Sequence, residues 1–218
     1  MMNPSKIVED GIEFSLGKFD GKLMVYDFPK ILVYLEAKGK MLFGNHFKLY
    51  QEDEKIMSLL SNYFIRDAKN CEKYNIDPDK GILLSGPVGC GKTSLMRLLK
   101  NIVPHQRQYE VIPARNIVFG FNHIGFKTIE DFGNEGFFCF DDLGVEPSGR
   151  HFGKDCNVMG EILISRYELF LKHKVRTHAT TNHNVKELEE RYGSRVRSRM
   201  RQMFNLINFD KNTRDKRN

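Results

Sequence analysis

The 218-residue sequence predicts an α/β fold, a parallel sheet with helices on both faces, and three observations carry that prediction. Short apolar runs of strand length alternate with amphipathic stretches of helix length, the order that builds βαβ units. A glycine-rich turn stands between the first such run and the helix after it. A later apolar run, Phe137 to Phe140, ends on two carboxylates, Asp141 and Asp142.

The elements follow in order. From about residue 11 to 48, Gly11, Gly17, Gly21, Pro29, Gly39 and Gly44 punctuate brief apolar pieces. Within them, 22–27 reads as a strand. Residues 29–38 read as a short helix with proline in its first turn and Gly39 just past its end. Ile56, Leu59, Leu60, Tyr63, Phe64, Ala68 and Cys71 recur at three- and four-residue steps, one helix with an apolar stripe. That stripe suits packing on a core, with docking of a partner helix as the alternative. After a loop at 75–80, Gly81–Ser85 is a strand, 93–103 a helix, 109–113 a strand and 136–142 a strand. Residues 158–173 read as a helix, 175–181 as a strand, 185–203 as a helix broken near Gly193, and 204–209 as a last strand. The pattern divides the chain at 1–74 and 75–218.

Composition excludes several classes. Hydrophobic residues make up 40% and charged residues 28%, ordinary for a soluble globular protein. No apolar run approaches the roughly 20 residues of a membrane span. Met1–Lys6 leads into no apolar core of signal-peptide length, so no leader is expected. Cys71, Cys90, Cys139 and Cys156 show no C-x-x-C spacing, which argues against a disulfide framework and for a reducing cytoplasm. Net charge is +6, and the excess gathers late in the chain, at Arg191, Arg195, Arg197, Arg199, Arg201, Lys211, Arg214, Lys216 and Arg217. A basic stretch speeds encounter with polyanions, although a merely solvated face has the same composition.

The glycine-rich turn is Gly86-Pro87-Val88-Gly89-Cys90-Gly91-Lys92-Thr93, with Ser94 continuing into the helix. Strand, turn and helix in that order make the pattern a phosphate-binding loop. Glycines let successive N–H groups converge on phosphate oxygens, and the helix start adds partial positive charge. Lys92 is placed to bridge β- and γ-phosphates of ATP, and the Thr93 hydroxyl to ligate magnesium. Asp141 and Asp142 end a strand at the sheet edge where ligands sit in open α/β folds. The first suits holding magnesium through water, the second orienting the attacking water. Asn182 ends another strand on that edge and can reach a γ-phosphate. Arg195 and Arg199 lie four apart on a helix and share a face; a solvated or DNA-facing basic helix has the same spacing.

Together these motifs resemble the AAA+ ATPases of the helicase-loader branch, the DnaC/DnaI proteins and the transposition helper IstB. Asp141-Asp142-Leu143-Gly144-Val145-Glu146 resembles their acidic motif and Thr180-Thr181-Asn182 their sensor-1 strand. The stretch from Tyr192 to Met200 is similar to the one carrying their trans-acting arginines. The resemblance covers about residues 75–210. It implies Walker B roles for Asp141 and Asp142, sensor 1 at Asn182, and an arginine finger at Arg199 with Arg195 beside it. A sensor-2-like arginine would be Arg214 or Arg217. The chain stops too early for a C-terminal helical lid, as in this branch. Implied partners are single-stranded DNA, a replicative helicase or a transposase, and further copies of the chain, with the first 74 residues as a partner-binding region. Two other classes stand as rivals. A small-molecule P-loop kinase would yield a phosphorylated metabolite, and a non-hydrolysing ATP switch is suggested by Asp142 standing where a glutamate is more usual.

Overall fold

The computed structural model describes residues 4–217; Met1, Met2 and Asn3, which open the stretch read above for a leader, and Asn218 lie outside the described residues. The described residues form two compact units, 4–78 with 94–108, and 79–93 with 109–217. No helix among them is long and apolar enough to cross a membrane.

The first unit opens with two antiparallel hairpins, β1 (Lys6–Glu9) with β2 (Ile12–Ser15) and β3 (Gly17–Phe19) with β4 (Met24–Tyr26). Helix α1 (Phe28–Phe43) follows, capped by the Asp27 carboxylate, which accepts the Lys30 N–H. The sequence reading ends this helix before Gly39; the structure carries it one turn further. Gly39 is there for space rather than termination: a Cβ on it would stand 2.1 Å from Cε1 of Phe47. The true stop is Gly44 (φ 98°), whose N–H bonds Lys40 O. The single helix expected over 56–71 is likewise two, α2 (Glu54–Phe64) and α3 (Ala68–Lys73). Arg66 takes a left-handed φ of 57° between them, and Asp67 caps the second by accepting the Asn70 N–H at 2.9 Å. A local cap outcompetes the continuous apolar stripe because it satisfies an otherwise unpaired helix-end donor. Leu16, Ile31, Tyr34, Leu35, Met57, Leu60 and Tyr63 are all buried here.

The second unit holds the sheet. Its strands are β5 (Gly81–Ser85), β6 (Glu110–Pro113), β7 (Phe138–Asp141), β10 (His178–Thr181) and β11 (Phe204–Asn208). They are parallel, in the order β11-β5-β10-β7-β6. Helix α4 (Lys92–Leu99) begins in this unit and tightens into a 3-10 turn at Lys100–Ile102, where the sequence reading runs a single helix to 103. Helix α7 (Val158–His173) has the bounds that the sequence reading gives it, and the Asn157 side chain caps it by accepting the Gly160 N–H. The sequence reading assigns nothing to 114–135 or 149–156. The structure has α5 (Ala114–Ile124) and α6 (Phe126–Asn134), then a hairpin of β8 (Gly149–His151) and β9 (Lys154–Cys156). Ala114, Ile117, Val118 and Phe121 do carry a helical period, but Pro113 offers no side-chain cap and Gly125 ends one helix while opening the next. Helix α8 (Val185–Met203) is broken at Gly193 (φ 83°, ψ 160°), as the sequence implies. Leu83, Ile117, Phe121, Phe140, Leu143, Ile162, Leu163, Ala179, Met200 and Phe204 form one buried core. Among the described residues, no helix follows β11.

Candidate functional site

The strand order decides the site. Parallel strands present all their carboxyl ends at one edge, and β10 lies between the strand that feeds the phosphate loop and the strand that ends on Asp141. Register places Thr181 opposite Ser85 and Ala179 opposite Phe140, so the ends of all three are level.

Gly89 (φ 79°) and Gly91 (φ 100°) supply the left-handed turns that curl residues 86–93. Lys92 folds back into the loop: its ammonium donates to Gly86 O at 2.9 Å, Pro87 O at 2.7 Å and Asn182 Oδ1 at 2.7 Å. The residue is 5% exposed, and burial lowers its pKa below the ordinary lysine range, opposed by nearby Cys90, Asp142 and Asp141. The Thr93 hydroxyl donates to Asp141 Oδ1 at 2.8 Å across 48 residues of sequence. Asn182 spans the two halves: its carbonyl oxygen accepts from Lys92, and its amide donates to Asp142 Oδ1 at 3.3 Å. Lys92, Thr93, Asp141, Asp142 and Asn182, taken from three separate stretches of sequence, therefore meet. Asp142 stands in the left-handed region (φ 55°), and burial, then the neighbouring Asp141, raises its carboxyl above the usual range.

Thr180 was visible in the sequence only as part of a strand. It is fully buried, donates to Asp141 Oδ1 at 2.6 Å and accepts the Asp142 N–H at 3.0 Å. Thr181 beside it donates to Leu143 O at 2.6 Å. Two hydroxyls on a wholly buried strand are the signal, since a buried hydroxyl needs a partner.

The arginines divide by face. Residues 195 and 199 share one side of the second half of α8, 197 and 201 the other. Arg199 stacks its guanidinium over the Tyr167 ring at 5.3 Å, and Arg195 is exposed. Among the described residues neither makes a hydrogen bond or ion pair with the phosphate loop. Arg197 and Arg201 instead line a cavity of about 640 Å³ together with Gly86, Pro87, Asn182 and Lys211. The buried Arg197 Nε has no hydrogen-bond partner, and burial and Arg201 both disfavour its charge. The same cavity is lined by Glu187 and, for the larger part, by apolar side chains such as Leu83, Leu188, Met200 and Phe204.

Residues near the end of the described chain lie against the loop. The Lys216 N–H donates to Gly89 O at 3.0 Å and its ammonium to Cys90 O at 2.9 Å. Arg217 lies close enough to Asp142 for its charge to lower that carboxyl's pKa and bonds Asp215 through both its N–H and its Nε.

Oxygen ligands at Thr93 and Asp141, a further carboxylate at Asp142 and a loop curled at Gly89 and Gly91 around the Lys92 ammonium fit a magnesium–phosphate group. Magnesium is commonly held by one or two carboxylates plus phosphates rather than by an all-protein cage. No cluster of three or more His, Cys, Asp or Glu that could hold a metal ion occurs among the described residues.

This arrangement of the sheet recurs in solved structures. The crystal structure of the DnaC helicase loader superposes with a TM-score of 0.53 at 19% identity, covering 75% of this chain and 93% of that one. DnaI superposes at 0.54 and 19%, over 75% and 88%. The fold is the AAA+ fold of these loaders. DnaA from Aquifex aeolicus, solved with AMPPCP bound, shares the AAA+ fold at a TM-score of 0.52 and 17% identity, over 75% of this chain and 48% of that one. No protein-family model matches the sequence, and no curated protein matches it. At these identities the AAA+ likeness is one of fold.

Proposed function

We propose that this chain binds and hydrolyses ATP and acts as a DNA-replication helicase loader or a similar DNA-associated helper. The observation that carries the reading is the 2.8 Å contact between Thr93 Oγ1 and Asp141 Oδ1. It joins the loop built for phosphates to the acidic strand end, with Lys92, Asn182 and Asp142 in one hydrogen-bonded line beside it.

The loop amides from Gly86 to Thr93 cradle the triphosphate, with Ser94 in the helix start behind them, and Lys92 exchanges its carbonyl partners for β- and γ-phosphate oxygens. Thr93 and Asp141 would hold a magnesium ion, which when bound neutralises phosphate charge. Asp142 orients the attacking water and accepts its proton, and Asn182 fixes both that carboxylate and the ammonium. Arg199, with Arg195, reaches the site of a neighbouring copy rather than its own. Arg217, rather than Arg214, lies on the side of Asp142. The basic face of α8 and the tail receives single-stranded DNA. Residues 1–74 meet the protein partner, a replicative helicase in the first instance, and 75–218 carry the ATPase, in the cytoplasm.

The test is phosphate release with and without single-stranded DNA, for the unaltered chain and for Lys92→Ala and Arg199→Ala. Free phosphate that disappears in Lys92→Ala supports the reading. A phosphorylated metabolite, or binding without turnover, sinks it. If Arg199→Ala mixed with excess Lys92→Ala hydrolyses no faster than Arg199→Ala alone, the arginine does not act between copies.

A further inference from the structure

We propose that Glu146 is a positioning residue that ties the turn carrying Asp142 to the half of α8 carrying Arg195 and Arg199, so that nucleotide at one end moves the arginines at the other. The inference rests on the nucleotide reading above and concerns how that site communicates.

Glu146 is 4% exposed, and a carboxylate is buried at high cost unless its oxygens are all engaged. Here they are. Oε2 accepts the Gly144 N–H at 2.7 Å, and Oε1 accepts the Tyr192 hydroxyl at 2.7 Å and lies 3.5 Å from Arg191 Nη2. The same Arg191 nitrogen donates to the Glu146 backbone carbonyl at 2.6 Å. One side chain thus holds two elements more than forty residues apart in sequence.

What each end holds gives the contact its consequence. Gly144 stands two residues after Asp142, in a turn whose backbone is pinned by Leu143 N–H on Thr180 O at 2.8 Å and closed by Val145 N–H on Asp142 O at 3.4 Å. Any rotation of Asp142 out of its left-handed φ displaces the Gly144 amide. Tyr192, at the other end, immediately precedes Gly193, where α8 loses helical geometry. A continuous helix would fix residues 194–203 through its own ladder. A broken one lets them pivot, and their orientation then depends on how 191–192 are anchored and on the burial of Val196, Met200 and Met203. Glu146 is that anchor, and its other oxygen is fastened to the catalytic turn.

Hydrogen exchange on the full chain separates coupling from simple packing. A non-hydrolysable ATP analogue with magnesium is added, and protection is followed in peptides covering 86–93 and 194–203. In the unaltered protein both are expected to gain protection several-fold. In Tyr192→Phe, which keeps the ring and removes only the O–H, the gain at 86–93 is expected to persist while that at 194–203 falls to less than half. Glu146→Gln, which keeps one acceptor oxygen, is expected to lie between. Equal gains at 194–203 in all three proteins overturn the coupling, as does no gain there in the unaltered chain. Failure at 86–93 itself would overturn the nucleotide reading, a separate and recognisable outcome. A purely structural role would shift the starting protection of 194–203 without changing its response to nucleotide.

Discussion

The Thr180 hydroxyl sits 2.6 Å from Asp141 Oδ1 while accepting the Asp142 N–H at 3.0 Å, so one buried oxygen sets the positions of both acidic residues. The same Asp141 oxygen accepts from Thr93. This makes a strand between the two motifs, rather than either motif, responsible for their alignment.

Thr180→Val keeps the β-branched shape and removes that oxygen. The Asp142 N–H loses its partner, and Asp141 keeps only Thr93. Hydrolysis is expected to fall by roughly 10²-fold, since misplacing a reacting group by about 1 Å costs that much. Nucleotide affinity, measured with a fluorescent analogue, should change little. Unchanged turnover would remove Thr180 from the site.

Asp142→Asn should abolish turnover, by roughly 10²–10⁴-fold if the carboxylate acts as a general base, and should stabilise the nucleotide-free protein. Asp142 is raised above 3.8, chiefly by burial. A carboxyl raised by folding contributes stability below its unfolded pKa, and that contribution is lost as pH climbs through the folded value. In the unaltered protein the loss grows as pH rises from the unfolded value, whereas Asn is neutral throughout. The melting-temperature advantage of Asp142→Asn should therefore be largest near pH 7 and shrink as pH is lowered toward 4. An advantage independent of pH would mean that charge is not its source.

Gly89→Ala tests the tail. A Cβ there would lie 2.1 Å from the Asp215 carboxyl, on a residue whose φ is already 79°. Displacing the tail breaks the Lys216 N–H bond to Gly89 O. The Lys216 amide should then exchange with solvent at least ten times faster, with a stability loss of about 1–2 kcal/mol from the left-handed alanine. No change in that amide would show the tail to be held elsewhere.

Gly39→Ala should destabilise, against the usual gain of about 1 kcal/mol for alanine over glycine within a helix. The methyl would meet the Phe47 ring at 2.1 Å, and overpacking of this kind costs about 1–3 kcal/mol. Chemical denaturation gives the sign directly. Phe47→Leu in the same background should recover part of the loss.

Features written in neighbouring residues were legible without coordinates. The string from Gly86 to Thr93 specifies a loop and a helix start. The run from Val158 to His173 specifies α7. Gly193 specifies a break, because backbone conformation and capping are decided within a turn or two. Elements without a cap of their own, such as α5, escaped. So did the pause at Arg66, and the continuation of α1 through Gly39, whose lack of a side chain leaves room for a ring eight residues away.

Tertiary structure alone decided that Thr93 touches Asp141, because that contact requires β10 to be inserted between β5 and β7 and all three to end level. It alone decided which arginines line the cavity beside their own loop, since four arginines at alternate positions are indistinguishable until the half-helix is packed on Val196 and Met200. Spacing along a chain records periodicity. Which face meets which edge is recorded only in the burial that follows.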